Sequence, residues 1–241
     1  MKGRGVFRAL RALGVAALIL AGGSAARAEC GVELVLAFDV SRSVDAAEFR
    51  LMRDGTAAAF LSPEITALIA ATPGGVMVTV TQWSDAQSQE QTIPWRHLTD
   101  AASLAGFAGA LSGMAKEFER GVTAPGNALL HAEFLGRTNP IPCRRRVIDI
   151  AGDGLGNNGI DAGPVADRIA ALGVTINGLV IRGAEPDPLH YYRTRLARGE
   201  GAFVEIADGY EDFPRAMLRK LTRELAPNLS WRGGTQGPAR G

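Results

Sequence analysis

Residues 32–43 read VELVLAFDVSRS, and the fold turns on how this run is divided. Its first seven positions are almost continuously apolar, the pattern of a strand buried on both faces of a sheet. The run then stops at three small oxygen-bearing side chains in alternate positions, Asp39, Ser41 and Ser43. Asp45, with Glu48 three residues later, makes an N-cap and capping-box signal. Behind it Phe49, Met52, Ala59 and Phe60 recur at roughly helical spacing. A buried strand thus feeds a polar loop, and the loop feeds a helix.

The alternation continues along the chain. GVMVTVTQW (75–83) reads as a second strand and QEQTIPW (89–95) as a third, which Pro94 pushes to an edge. RRVIDIA (145–151), VTINGLVI (174–181) and AFVEIA (202–207) complete six. Helical patterns cover 100–118, 124–136 with Pro125 near the first turn, 162–172 up to Gly173, and a short stretch over 187–198. A last helix runs from a cap at Asp208 through Phe213, Met217, Leu221 and Leu225. From Pro227 to Gly241 the chain is rich in Gly, Pro and Arg and reads as a flexible tail. Strands alternating with helices predict an α/β domain over 29–226, a mainly parallel sheet covered on both faces. Right-handed crossovers place the loops after the strands along one edge. Ligands bind such sheets at that edge, where strand order reverses.

Three loops are expected there. DVSRS follows the first strand, GVTAPG (121–126) brings Thr123 just before a helix, and AGDGLGNNG (151–159) presents Asp153 after the strand VIDIA. Asp39, Ser41, Ser43, Thr123 and Asp153 all offer oxygen, and none offers sulfur or imidazole. Such a set suits a hard dication, Mg²⁺ first with Mn²⁺ or Ca²⁺ as alternatives, rather than zinc or copper. Two carboxylates only just neutralise a 2+ ion, so a metal held this way stays electrophilic and short of one anionic ligand.

The first 28 residues stand apart. Lys2, Arg4, Arg8 and Arg11 precede the short apolar run LGVAALILAGG, and Ala26-Arg27-Ala28 offers a small-x-small cleavage pattern. The run is shorter than the roughly 20 apolar residues a spanning helix needs. Cys30 is preceded by Glu29, where a lipid-attachment motif wants a small residue. We read a secretory signal cleaved after Ala28 and a secreted or periplasmic protein without stable membrane insertion. Five of the 26 Lys and Arg lie in this leader, which leaves 21 against 25 acidic residues and a net charge of −4. A mildly acidic, aromatic-poor surface argues against nucleic acid as a partner.

DVSRS matches the Asp-x-Ser-x-Ser motif of von Willebrand factor A-like domains, and Thr123 and Asp153 match that family's second-loop threonine and third-loop aspartate. Over about residues 31–226 the chain resembles these domains, and within them an uncharacterised bacterial group of secreted, stand-alone members. The resemblance implies a Rossmann-like, doubly wound sheet of six strands with one antiparallel edge strand. It also implies a metal-ion-dependent adhesion site built from the five residues, whose open position takes an Asp or Glu of a protein partner. In the family's sheet order the strands after Cys30 and Cys143 are parallel neighbours, so the resemblance implies a structural disulfide at the edge opposite the metal.

A lone DxSxS can be an N-capping turn. A metal-dependent hydrolase or phosphatase using Asp39 is the enzymatic rival, but such aspartyl chemistry pairs the nucleophile with a carboxylate two residues on, where Ser41 stands. A structural module of an envelope assembly, its loops stiffened by metal, is a third reading. The glycines of AGDGLGNNG lack dinucleotide and P-loop spacing and read as turn formers. Asp149, inside a strand, is expected at an edge or paired with Arg144, Arg145 or Arg146. Trp83 and Trp95 are expected in the core.

Overall fold

The computed structural model describes residues 30–226, so the leader read at 1–28 and the tail read at 227–241 lie outside the described residues. The strands are β1 (Cys30–Asp39), β2 (Val76–Trp83), β3 (Gln89–Leu98), β4 (Cys143–Gly152), β5 (Val174–Ile181) and β6 (Val204–Ala207). They form one sheet in the order β3-β2-β1-β4-β5-β6. All neighbours run parallel except β3, which pairs antiparallel with β2 at the edge that Pro94 predicts. The chain builds outward from β1 through β2 to β3, then returns to β4 on the other side of β1. The C-terminal ends of β1 and β4 therefore lie side by side at the point of reversal.

Helices α1 (Ala46–Phe60), α2 (Pro63–Ala71), α3 (Ala101–Ser112), α4 (Pro125–Arg137), α5 (Ala162–Ala171), α6 (Leu189–Tyr191) and α7 (Phe213–Leu225) cover the sheet, with a π turn over Tyr192–Leu196 continuing α6. Alternation along β1 divides the core in two. Leu34, Leu36 and Phe38 face α1, α2, α3 and α7, where they meet Met52, Phe60, Phe107 and Met217. Val35 and Ala37 face α4, α5 and the π turn, with Leu129, Ile169 and Tyr192. A strand buried on both sides has to be apolar at consecutive positions, which is why VELVLAF carries little polarity. Trp83 is buried, and Trp95 is half-buried with its Nε1 donating to the Leu135 carbonyl at 3.3 Å.

Three expectations are corrected. The helix read over 100–118 ends at Ser112, because the buried Gln82 side chain claims the following backbone: its Nε2 donates to the Ala115 carbonyl and its Oε1 accepts from Glu117 N, each at 2.8 Å. The last helix starts at Phe213 rather than at a cap on Asp208. A 3₁₀ turn, Tyr210–Asp212, intervenes, and the capping direction is reversed, with Asp208 N donating to Asp212 Oδ2 at 3.1 Å. Asp149 is neither at an edge nor paired with arginine. It is fully buried in β4, on the face covered by α7, where Lys220 Nζ lies 2.6 Å from its Oδ2. Lys220 also bonds Glu224, which accepts from Asn177 Nδ2 at 2.8 Å. Helix α2, capped by Ser62 with Pro63 in its first turn, has no counterpart in the sequence reading.

Cys30 and Cys143 sit opposite each other in the β1–β4 register, with Cα atoms 4.4 Å apart, and are joined in a disulfide. The bridge closes the N-terminal edge of the sheet, away from the polar loops. Among the described residues no helix is long and apolar enough to cross a membrane.

Candidate metal centre

The β1 strand delivers Asp39 to the edge, and the backbone then turns on the aspartate itself. Asp39 Oδ1 accepts from Ser41 N at 2.8 Å, an Asx turn that aims both side chains the same way. Val44 N closes a further turn on the Ser41 carbonyl at 3.0 Å, before Asp45 caps α1 as its spacing predicts. Ser41 Oγ and Ser43 Oγ are 3.2 Å apart, and Ser43 Oγ donates to Asp153 Oδ1 at 3.0 Å. Thr123 Oγ1 is 3.5 Å from Ser41 Oγ. All five residues singled out in the sequence therefore meet in one cluster, drawn from the loops after β1 and β4 and the segment before α4. Asp39, Ser41, Thr123 and Asp153 are buried, while Ser43 is exposed and opens the cluster to solvent.

The electrostatics are those of crowded negative charge. Burial, and next the charge of Asp153, push the Asp39 carboxyl from its ordinary 3.8 up to about 7. Asp39 Oδ2 is buried and accepts no hydrogen bond. Glu48, at the rim, is also pushed up, by partial burial and then by Asp45 and Asp153. Lys116 opposes these charges from nearby, with its Nζ donating to the Val44 carbonyl at 2.7 Å. A dication among these oxygens would neutralise both aspartates and occupy the unpartnered Oδ2, so the residues fit the group. Among the described residues no group of three or more His, Cys, Asp or Glu could hold a metal ion, so a cation here would rest on two carboxylates and three hydroxyls.

Several supporting residues carry no sequence signal. Tyr192, on the π turn, is fully buried, and its hydroxyl, like Asp39 Oδ2, has no hydrogen-bond partner. Burial, then Asp39 and Asp153, push its phenol well above the ordinary range. Both oxygens flank the open space at Gly152: a Cβ there would fall 2.7 Å from Asp39 Cβ and 2.8 Å from both Asp39 Oδ2 and Tyr192 Oη. The glycine is what lets β1, β4 and the π turn close together. Tyr210 is likewise pushed up, by burial and then by Asp153 and Asp39. Tyrosines this distant in sequence can be found only from the assembled fold.

Solved structures share this architecture. The chain is similar to proximal thread matrix protein 1 from the mussel byssus, in a form with a zinc-occupied MIDAS motif (15% identity, TM-score 0.60, 83% of this chain and 47% of that one). It is similar to the PilB minor pilin from Streptococcus sanguinis (13%, 0.60, 82% and 62%). It is also similar to a von Willebrand factor type A protein from Catenulispora acidiphila (17%, 0.56, 82% and 42%). The chain spans less than two-thirds of the length of each of these proteins. No curated protein matches it in sequence. The fold is that of a von Willebrand factor A-like domain, and with a family model matching residues 29–229 the chain belongs to the family described as "Protein of unknown function (DUF1194)".

Proposed function

We propose that the protein is a secreted or periplasmic binding domain that holds a divalent cation and engages a carboxylate of a protein partner through it. Asp39, Ser41, Ser43, Thr123 and Asp153 are the proposed ligands, and a partner's Asp or Glu supplies the remaining anionic one. The observation that carries this reading is the pairing of two buried carboxylates from different loops, one with an unpartnered oxygen, inside a ring of hydroxyls. Hydroxyls that contact one another and Asp153 suit the holding of a cation more than the activation of a nucleophile, so we read a binding domain and not an enzyme. Mg²⁺ is the first candidate on donor chemistry, with Mn²⁺ and Ca²⁺ next. The zinc-occupied motif of the mussel protein supports a divalent cation at a site of this kind, and the pilin supports a role in protein contacts. Export through the leader at 1–28 agrees with a disulfide, which persists in an oxidising compartment.

The test is calorimetric titration of metal-stripped residues 29–241 with Mg²⁺, Mn²⁺, Ca²⁺ and Zn²⁺. One-site binding lost in both Asp39→Ala and Asp153→Ala is expected. Retention of full affinity in either variant would remove that residue from the site. Turnover of generic phosphate esters that depends on Asp39 would replace the binding reading with the hydrolase.

A further inference from the structure

Thr123 is a neutral, weakly coordinating hydroxyl, useful to a cation only where its backbone is held still. The helix it precedes does not hold it. Ala124 occupies the N-cap of α4 and supplies no side-chain hydrogen bond. Instead the peptide groups of Thr123 are gripped from the loop after β4. Asn157 Oδ1 accepts from Thr123 N at 2.9 Å, and Asn157 N donates back to the Thr123 carbonyl at 3.0 Å. Asn158 N adds a second donor to that carbonyl at 3.2 Å. Both backbone polar groups of Thr123 are thus satisfied by one dipeptide that also lies in the loop bearing Asp153.

The same loop is laced onward. Asn158 Oδ1 accepts from Ala86 N at 2.9 Å, while Asn127 takes Ile160 N on its Oδ1 at 2.9 Å and gives its Nδ2 to the Ala86 carbonyl at 3.1 Å. Gly159, at φ +73°, allows the close approach, since a Cβ there would stand 2.2 Å from Asn127 Oδ1. The turn after β2, the segment before α4 and the loop after β4 are therefore joined by three asparagines. The glycines of AGDGLGNNG form its turns, and its asparagines do a separate job.

We infer that Asn157 is a positioning residue for the metal centre: its carboxamide fixes Thr123 relative to Asp153, so that the two loops present hydroxyl and carboxylate as one unit. The inference rests on the metal-binding reading above. Outer partners that orient metal ligands typically change affinity by 10–100-fold when removed.

The test is Mg²⁺ and Mn²⁺ titration of the intact domain carrying Asn157→Ala, Asn157→Asp, Thr123→Ala and the double variant Asn157→Ala/Thr123→Ala, with thermal melts of each in chelator. Asn157→Ala should weaken metal binding about tenfold. Asn157→Asp keeps an oxygen acceptor for Thr123 N and should bind within about threefold of the original, on the same reasoning. In the Thr123→Ala background the Asn157→Ala change should have little further effect, because the hydroxyl it orients is gone. Asn157→Ala that lowers the melting temperature yet leaves metal affinity unchanged overturns the inference, as does an equal loss with and without the Thr123 hydroxyl. If Asn157→Ala does not fold, affinity in Asn157→Asp decides: a tenfold loss there overturns it. A wild-type protein that binds no metal removes the metal reading and the inference together, whereas a binding wild type with an indifferent Asn157 removes the inference alone.

Discussion

In the metal-free protein Asp39 is a strained carboxylate. Unfolded, it releases its proton near 3.8; folded and metal-free, it keeps it to about 7. Between those values the folded state binds more protons than the unfolded one, so metal-free stability falls as pH rises from about 4 to 7. Asn at this position removes the titration. The stability of Asp39→Asn relative to wild type, measured by urea unfolding in chelator, should rise by up to about 4 kcal/mol between pH 4 and 8 at 1.36 kcal/mol per unit. A difference flat with pH would show that Asp39 is not a strained carboxylate. Gly152 is a second position where one residue decides the outcome. Gly152→Ala forces a methyl group between Asp39 and Tyr192 and should cost about 1–3 kcal/mol, as overpacking does, and weaken metal binding as well. Unchanged metal affinity in a folded Gly152→Ala protein would contradict the packing described for Asp39.

Helix α7 is joined to the sheet by charge as well as by grease. Phe213, Met217 and Leu221 pack on the apolar face, but Lys220 points into it and meets Asp149 of β4 and Glu224 one turn on. Burial pushes the Asp149 carboxyl up, to about 7, against the pull of Lys220. Removing the lysine leaves two buried carboxylates uncompensated, a change that typically costs about 3–5 kcal/mol. Lys220→Met should therefore be strongly destabilised in urea unfolding, and more so at pH 8 than at pH 5. Asp149, already held above its unfolded value by burial, would lose the opposing pull of Lys220, so stability is lost as pH rises through its folded value. A loss under about 1 kcal/mol would mean that the network is dispensable. The sequence shows Asp149 as an anomaly in a strand, but its partner lies 71 residues away on a helix whose register depends on where the 3₁₀ turn ends. Helix α3 ends at its C-cap Gly113, a local signal, whereas the hold of the buried Gln82 of β2 on Ala115 and Glu117, which keeps the next residues out of the helix, is visible only in the fold.

Across the whole molecule the disulfide and the candidate metal centre occupy opposite edges of the sheet, so their contributions should separate. The bridge spans 113 residues, and a loop of that length loses about 4–5 kcal/mol of stabilisation in the chain-entropy model when it is opened. Cys30→Ser/Cys143→Ser should show that loss in urea unfolding while its metal affinity stays within about threefold of wild type, since sites with no shared partners act independently. Coupled losses would mean that the two edges communicate through β1 and β4. The apolar run of β1, the capping box at Asp45 and the edge proline of β3 are local signals, and each states its element without help from the rest of the chain. Likewise Asp39, Ser41, Ser43 and Asp153 can be grouped before their contacts are known because strand ends in a parallel sheet share an edge, and Thr123 joins them because a helix that returns to the next parallel strand starts at that same edge. The Lys220 network, the approach of Asp39 and Tyr192 to Gly152, and the grip of Asn157 on Thr123 belong to the tertiary structure alone. They depend on side-chain direction and helix register across the sheet, which local periodicity does not encode and only the packing of both faces decides.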